Sequence, residues 1–257
     1  VNTHKILYAL AGLVVGCVIG FLFATSVDRK ELETLRGEVA RARAGSGGQR
    51  TGETQNPSAN AQAASMPTDA EMRDLIAKAD ANQQDTEYQR KVGQGIYMYA
   101  LSTGKPDLLP EAVRLLKRAH EADPANYETT VLVGNSLFAL GQAADVSRYD
   151  EARVYYNKAL AVKPDDTNVH TLLGMTYYYG RPSDPERAIK EYRKTLAAAP
   201  KHEMALQSLA SALIATGAID EAQKRIEELQ AVNSANSALS NLRAQLAQSR
   251  NAAKENN

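Results

Sequence analysis

The sequence predicts an all-α chain, a solenoid of helical hairpins preceded by a single transmembrane helix and a flexible linker. Three observations carry that reading. Apolar residues recur at helical spacing in paired segments from residue 85 onward, the same small and large residues return in each pair, and a charge-free run stands near the start. The pairing is clearest over residues 167–200, TNVHTLLGMTYYYGRPSDPERAIKEYRKTLAAAP. Leu172, Leu173, Thr176 and Tyr177 give a first helix one apolar face, and Ala188, Ile189, Tyr192 and Leu196 do the same for a second. Gly180, Pro182, Ser183 and Asp184 form the turn between them. Asp184 suits a helix start, because its oxygen accepts an orphan backbone N–H while Pro185, at the first helical position, forfeits no hydrogen bond. Pro200 ends the second helix.

Composition narrows the function. The 257 residues carry a formal net charge of zero with 23% charged residues, so there is no basic footprint and nucleic acid is not an expected partner. The single cysteine, Cys17, allows neither a disulfide framework nor a thiolate metal site.

The charge-free run covers residues 6–27, ILYALAGLVVGCVIGFLFATSV, and as a helix it spans about 33 Å, enough to cross a bilayer. Residues 1–27 are therefore read as a transmembrane anchor. Cleavage near Ala24-Thr25-Ser26 and lipidation at Cys17, which follows Val14-Val15-Gly16, are the alternatives; the apolar run continues past Cys17, which favours retention. Gly12, Gly16 and Gly20 line one face of this helix at a spacing of four, as in close-packed membrane helix pairs, so a homodimer is an expected state. Residues 28–43 form a charged juxtamembrane helix, with Leu32, Leu35, Val39 and Ala42 spaced as in a short coiled coil. Residues 44–67 are rich in Gly, Ser, Asn and Gln and read as a disordered linker with a reach of about 25–30 Å. Arg29, Lys30, Arg36, Arg41 and Arg43 follow the anchor while only Lys5 and His4 precede it, a bias that favours the cytoplasmic side for the hairpins.

Thr68-Asp69-Ala70-Glu71 has the form of a capping box and opens a capping helix within residues 68–84. Four hairpins fill residues 85–125, 126–165, 166–200 and 201–234. The first shows Val92-Gly93, Ala112, Leu116, Ala119 and Pro124, and the second Val133-Gly134, Ala152, Tyr156, Ala159 and Pro164. The third shows Leu173-Gly174, Ala188, Tyr192 and Pro200; the fourth has Leu209-Ala210, Ala222, Ile226 and Leu229, with Ser234 in place of the closing proline. Surplus residues fall between the two helices of a unit, around residues 103–110, 142–147 and 181–185. Leu239, Leu242 and Leu246 mark a terminal capping helix within residues 235–257, its tail fraying from residue 251.

These residues resemble the tetratricopeptide repeat: a Leu-Gly pair, a Tyr, an Ala followed four residues later by an aromatic, and a closing Pro. His170 stands where the family usually has Trp. With the anchor and linker, the arrangement is also similar to the repeat-bearing assembly factors of bacterial cytochrome c maturation. That similarity implies a single-pass protein of the bacterial inner membrane with periplasmic repeats, against the side favoured by the basic residues.

No catalytic constellation is present. His120, His170, His202 and His4 fall on separate segments without metal-ligand spacing, and no phosphate-cradling glycine loop joins a strand to a helix, so neither enzyme chemistry, a cofactor nor a metal is expected. The resemblance instead implies a peptide groove lined by the first helices. By phase its residues are Arg90, Gln94, Tyr97 and Met98, then Asn135 and Phe138, then Asn168, Thr171, Met175, Tyr178 and Tyr179, then Met204, Gln207, Ser211 and Ile214. This face is mostly uncharged, rich in Tyr and Met, and suits apolar anchors with a few amide hydrogen bonds. Relatives that clamp a terminal carboxylate use Lys, Arg and Asn. Here Leu132 and Leu172 occupy two such places, which argues against that ligand. The function expected is a membrane-tethered scaffold that binds a peptide segment of another protein during assembly of an envelope complex. The alternative is a structural, self-associating membrane protein without a peptide client.

Overall fold

In a computed structural model of the chain, residues 67–255 are described. The predicted anchor, the juxtamembrane helix and all of the linker but its last residue, with Gly12, Gly16, Gly20 and Cys17, lie outside them. Among the described residues no helix is long and apolar enough to cross a membrane, and no strand occurs. The described residues fall into two compact units, 67–122 and 123–255.

The first unit holds α1 (Asp69–Ala81), α2 (Thr86–Thr103), a 3₁₀ turn (Pro106–Leu108) and α3 (Leu109–Ala122). Thr68 and Glu71 form a reciprocal capping box at the start of α1. Its other end is closed from α2, where the fully buried Gln89 donates to the carbonyls of Ala79 at 2.5 Å and Asn82 at 3.1 Å. Ala79 O also accepts from Asn82 N and Asn82 O from Asp85 N, so the buried amide adds a second bond to each carbonyl at the helix end. Arg114 and Arg118 of α3 converge on Asp80, and the hydrogen bond from Arg114 does most to hold the Asp80 carboxyl below its usual range. Gly104 ends α2 with φ +66, a left-handed backbone that a side chain would strain, and the insert after it coils into the 3₁₀ turn.

The second unit stacks three hairpins and a terminal helix: α4 (Tyr127–Ala143) with α5 (Arg148–Val162), α6 (Thr167–Tyr179) with α7 (Pro185–Ala198), α8 (Glu203–Ala215) with α9 (Ile219–Val232), then α10 (Leu239–Glu255). Within it α5 packs on α6, α7 on α8, and α10 closes the stack against α9 and α8. Asp184 accepts from Arg187 N with Pro185 opening α7. The insert before it turns through a cis Arg181-Pro182 bond, while Ser183 Oγ donates to Tyr178 O and Asp184 N to Tyr177 O.

One rule recurs in every hairpin. Ala112, Ala152, Ala188 and Ala222 on the second helices are all fully buried, and the first helix opposes a small residue to a large one. A Cβ added at Gly134 would lie 2.7 Å from the Tyr156 ring, and one at Gly174 only 2.5 Å from the Tyr192 ring. At Gly93 the neighbour is Leu116, again at 2.7 Å. The rings lie where a side chain on the first helix would otherwise stand, which brings the two backbones close and keeps the core dense.

Replacing Gly174 by Ala is expected to destabilise the protein by about 1–3 kcal/mol, because the added Cβ overlaps the fully buried Tyr192 ring, which must shift to admit it. A urea midpoint lowered in Gly174→Ala and partly restored in Gly174→Ala with Tyr192→Leu checks it. An unchanged midpoint would show that the ring yields.

Candidate peptide-binding surface on the first helices

Each first helix is opened by a side-chain cap. Asp85, Asn126, Asp166 and His202 accept from the backbone N–H three residues on, at Tyr88, Thr129, Val169 and Ala205. This anchors the rotation of each helix and hence the face it shows.

In the first unit, Arg90 is held by both carboxylate oxygens of Glu87, at 2.9 and 2.8 Å, and also donates to Gln94 Oε1 at 3.2 Å. Those bonds hold the Glu87 carboxyl below its ordinary range. Gln94 and Tyr97 are buried and Met98 is half-buried; burial alone raises the Tyr97 phenol far above its ordinary range. A guanidinium committed to Glu87 adds a second reason, beside Leu132 and Leu172, against a terminal-carboxylate ligand.

In the second unit a run of rings crosses the hairpins. Phe138 of α4 lies 5.3 Å from Tyr149, Tyr149 lies 6.4 Å from Tyr179, and Tyr179 meets Tyr178 edge to face at 5.1 Å. Tyr178 then reaches the next first helix, its hydroxyl donating to Ser211 O at 3.4 Å. Tyr149 stands on a second helix and falls outside the sequence-predicted surface, which counts first helices only. Its signal in the sequence is Gly141, where an added Cβ would meet the Tyr149 ring at 3.0 Å. Burial raises the phenols of Tyr149 and Tyr179, so both stay neutral donors at any ordinary pH.

Two polar residues of the sequence-predicted surface are engaged inside their own hairpins. Thr171 has no exposed surface, and its hydroxyl is engaged within its own hairpin, with Thr167 O at 2.8 Å and Thr195 Oγ1 at 3.1 Å. Asn135 accepts from the Tyr156 hydroxyl at 3.0 Å, again inside its hairpin. Both side chains are short enough to reach a polar partner on the second helix, and a buried polar group takes such a partner. Met175, Met204 and Gln207 are buried, Ile214 is half-buried, and Asn168 is exposed with its Oδ1 on His202 Nε2 at 3.0 Å. Gln207 Oε1 is buried with no hydrogen-bond partner among the described residues.

His170 lies on another side, in a cleft of about 460 Å³ lined by Asn157, Leu160, Pro164, Leu173, Glu191 and Lys194 among others. Its Nδ1 meets Glu191 Oε2 at 2.6 Å and its Nε2 meets Pro164 O at 2.8 Å, so the ring ties α6 to α7 and to the loop before it. No group of His, Cys, Asp and Glu among the described residues has a metal-binding arrangement.

The tetratricopeptide repeat family model matches residues 182–246, which span α7 through α9 and the start of α10. The fold is shared with solved proteins. The crystal structure of MamA is 22% identical with a TM-score of 0.52, covering 65% of this chain and 88% of that one. A second crystal structure of MamA protein is 22% identical with a TM-score of 0.51, over 65% and 82% of the two chains. TTC0263, a thermophilic tetratricopeptide repeat protein in Thermus thermophilus, is 18% identical with a TM-score of 0.50, over 70% and 89%. At these identities the likeness is one of fold. No curated protein matches the chain.

If Asn135 serves its hairpin, Asn135→Ala and Tyr156→Phe should each cost about 1–2 kcal/mol, and the double variant much less than their sum. Denaturant melts of the four forms measure the coupling; additive losses would separate the two residues.

Proposed function

We propose that the second unit is a peptide-binding scaffold, presented at a membrane by the apolar run of residues 6–27 and the linker that follows it. The observation that carries this reading is Gln207, a buried amide oxygen with no partner among the described residues, on a helix face that also carries Met204 and Ile214. A buried acceptor left unsatisfied costs about 1–3 kcal/mol, and a backbone N–H from an extended or helical peptide relieves it once the amide turns outward to meet it. On the same helix Met204 and Ile214 offer pliable apolar contact, and Tyr178, bonded to Ser211 O, adds an aromatic body with a polar tip. The occupant that fits is an uncharged or weakly charged segment with apolar anchors. The fold's likeness to other repeat proteins and the family match at residues 182–246 support a binding role in general. A part in assembling an envelope complex, and the side of the membrane on which it acts, belong to the same proposal and rest on the sequence alone.

Selection from a displayed peptide library against the full chain in detergent is expected to enrich apolar, uncharged sequences. Gln207→Leu should keep or slightly raise the melting temperature while weakening capture of the winning peptide about tenfold. Enrichment of acidic C-termini, or a Gln207→Leu protein that binds as tightly as the parent, would overturn the reading. Protease protection in intact cells then reports which side the hairpins face.

A further inference from the structure

The four caps that open the first helices are chemically unequal. Asp85, Asn126 and Asp166 accept a backbone N–H through an oxygen that carries no proton near neutrality, whereas the fourth cap is the imidazole of His202. Ala205 N donates to His202 Nδ1 at 3.2 Å, and because a backbone N–H can only donate, Nδ1 must hold a lone pair. The remaining ring proton therefore sits on Nε2, which donates to Asn168 Oδ1 on α6 at 3.0 Å. One neutral ring thus caps α8 and ties the fourth hairpin to the first helix of the third.

A second proton removes this arrangement. It would occupy Nδ1, point at the Ala205 N–H, and add a positive charge at the positive end of the α8 dipole. The ring must then swing away from the helix end, carrying Nε2 from Asn168. We propose that His202 is an acid-labile joint between the third and fourth hairpins: on taking up a proton it releases the first turn of α8 and its link to Asn168. Asp166, on the neighbouring cap, faces the ring, and Lys201 and Glu203 flank it in the chain. Of these, Asp166 favours the protonated ring but is already engaged by the Tyr127 hydroxyl at 2.5 Å and by Val169 N at 2.9 Å. Glu203 accepts from Asn233 and Asn236. Burial prevails and pushes the His202 imidazole below its ordinary 6.5, with the residue's own backbone and Asp166 pulling the other way.

The sign follows from linkage. A folded imidazole that takes its proton at lower pH than the unfolded one stabilises fully above about 6.5, and the contribution is lost as pH falls through the folded value. This joint is independent of whether the neighbouring surface takes a peptide.

Amide hydrogen exchange on the full chain in detergent, corrected for intrinsic rates, tests it between about pH 7.5 and 5.5, above the ordinary carboxylate range. The segment opening α8 should lose roughly fivefold in protection across that interval, the size of a lost cap. His202→Asn, which copies the cap at Asn126, should hold that protection constant. Should His202→Asn fail to fold, His202→Asp, copying Asp166, gives the same comparison. No acid loss in the parent overturns the proposal, as does an equal loss in the variants, which keep His170 and its contacts with Glu191 and Pro164.

Discussion

The close approach of two helices within each hairpin is the constraint on which the rest depends. At Gly134 and Gly174 the absent Cβ is replaced by the ring of Tyr156 or Tyr192, each fully buried. The contact does two jobs. It buries a large aromatic surface, on the order of 2–3 kcal/mol per side chain by area, and it sets the distance between backbones through a rigid ring. The pair varies between hairpins: the first keeps Gly93 against Leu116, and the fourth has Ala210 in the glycine register and Ile226 in the ring register, both buried. Size complementarity, rather than glycine itself, is what the repeat keeps.

Once that distance is set, the outward face of each first helix follows from its cap and its length. The side chains on that face divide by reach. Short polar ones, Asn135 and Thr171, find Tyr156 and Thr195 on their own second helix and are absorbed into the hairpin. Tyr178 and Tyr179 pass beyond it, Tyr178 in reaching Ser211 O and Tyr179 in meeting Tyr149. The exposed part of that face is therefore narrower than the helical phase suggests, since Tyr97, Phe138 and Met175 are buried as well.

Much of the fold was legible because hairpins carry their own punctuation. Asp184-Pro185, the Thr68–Glu71 capping box and the repeated small and large residues are local signals, and the helices begin and turn where they stand. The surface was less legible because phase gives only a direction from the helix axis. It does not tell that the Thr171 hydroxyl turns inward, that Arg90 is held by Glu87, or that Tyr149 from a second helix joins Phe138 and Tyr179. Each of those depends on a partner distant in space or on a rotamer, and neither is written in the spacing.

His202 and His170 show how far a residue's meaning depends on its partners. Read as letters, both are lone histidines off any metal spacing. In the fold one accepts a backbone N–H through a ring nitrogen and the other meets a carboxylate and a carbonyl, two acceptors. A ring nitrogen accepts a backbone N–H only while it carries no proton, whereas a ring between two acceptors meets each through a different nitrogen. They stand at successive junctions of one stack, His170 bonding the loop that leads into α6 and His202 capping α8. A repeat array multiplies one hairpin geometry, and its individuality enters through such substitutions at the junctions, where a single side chain is shared by neighbouring units.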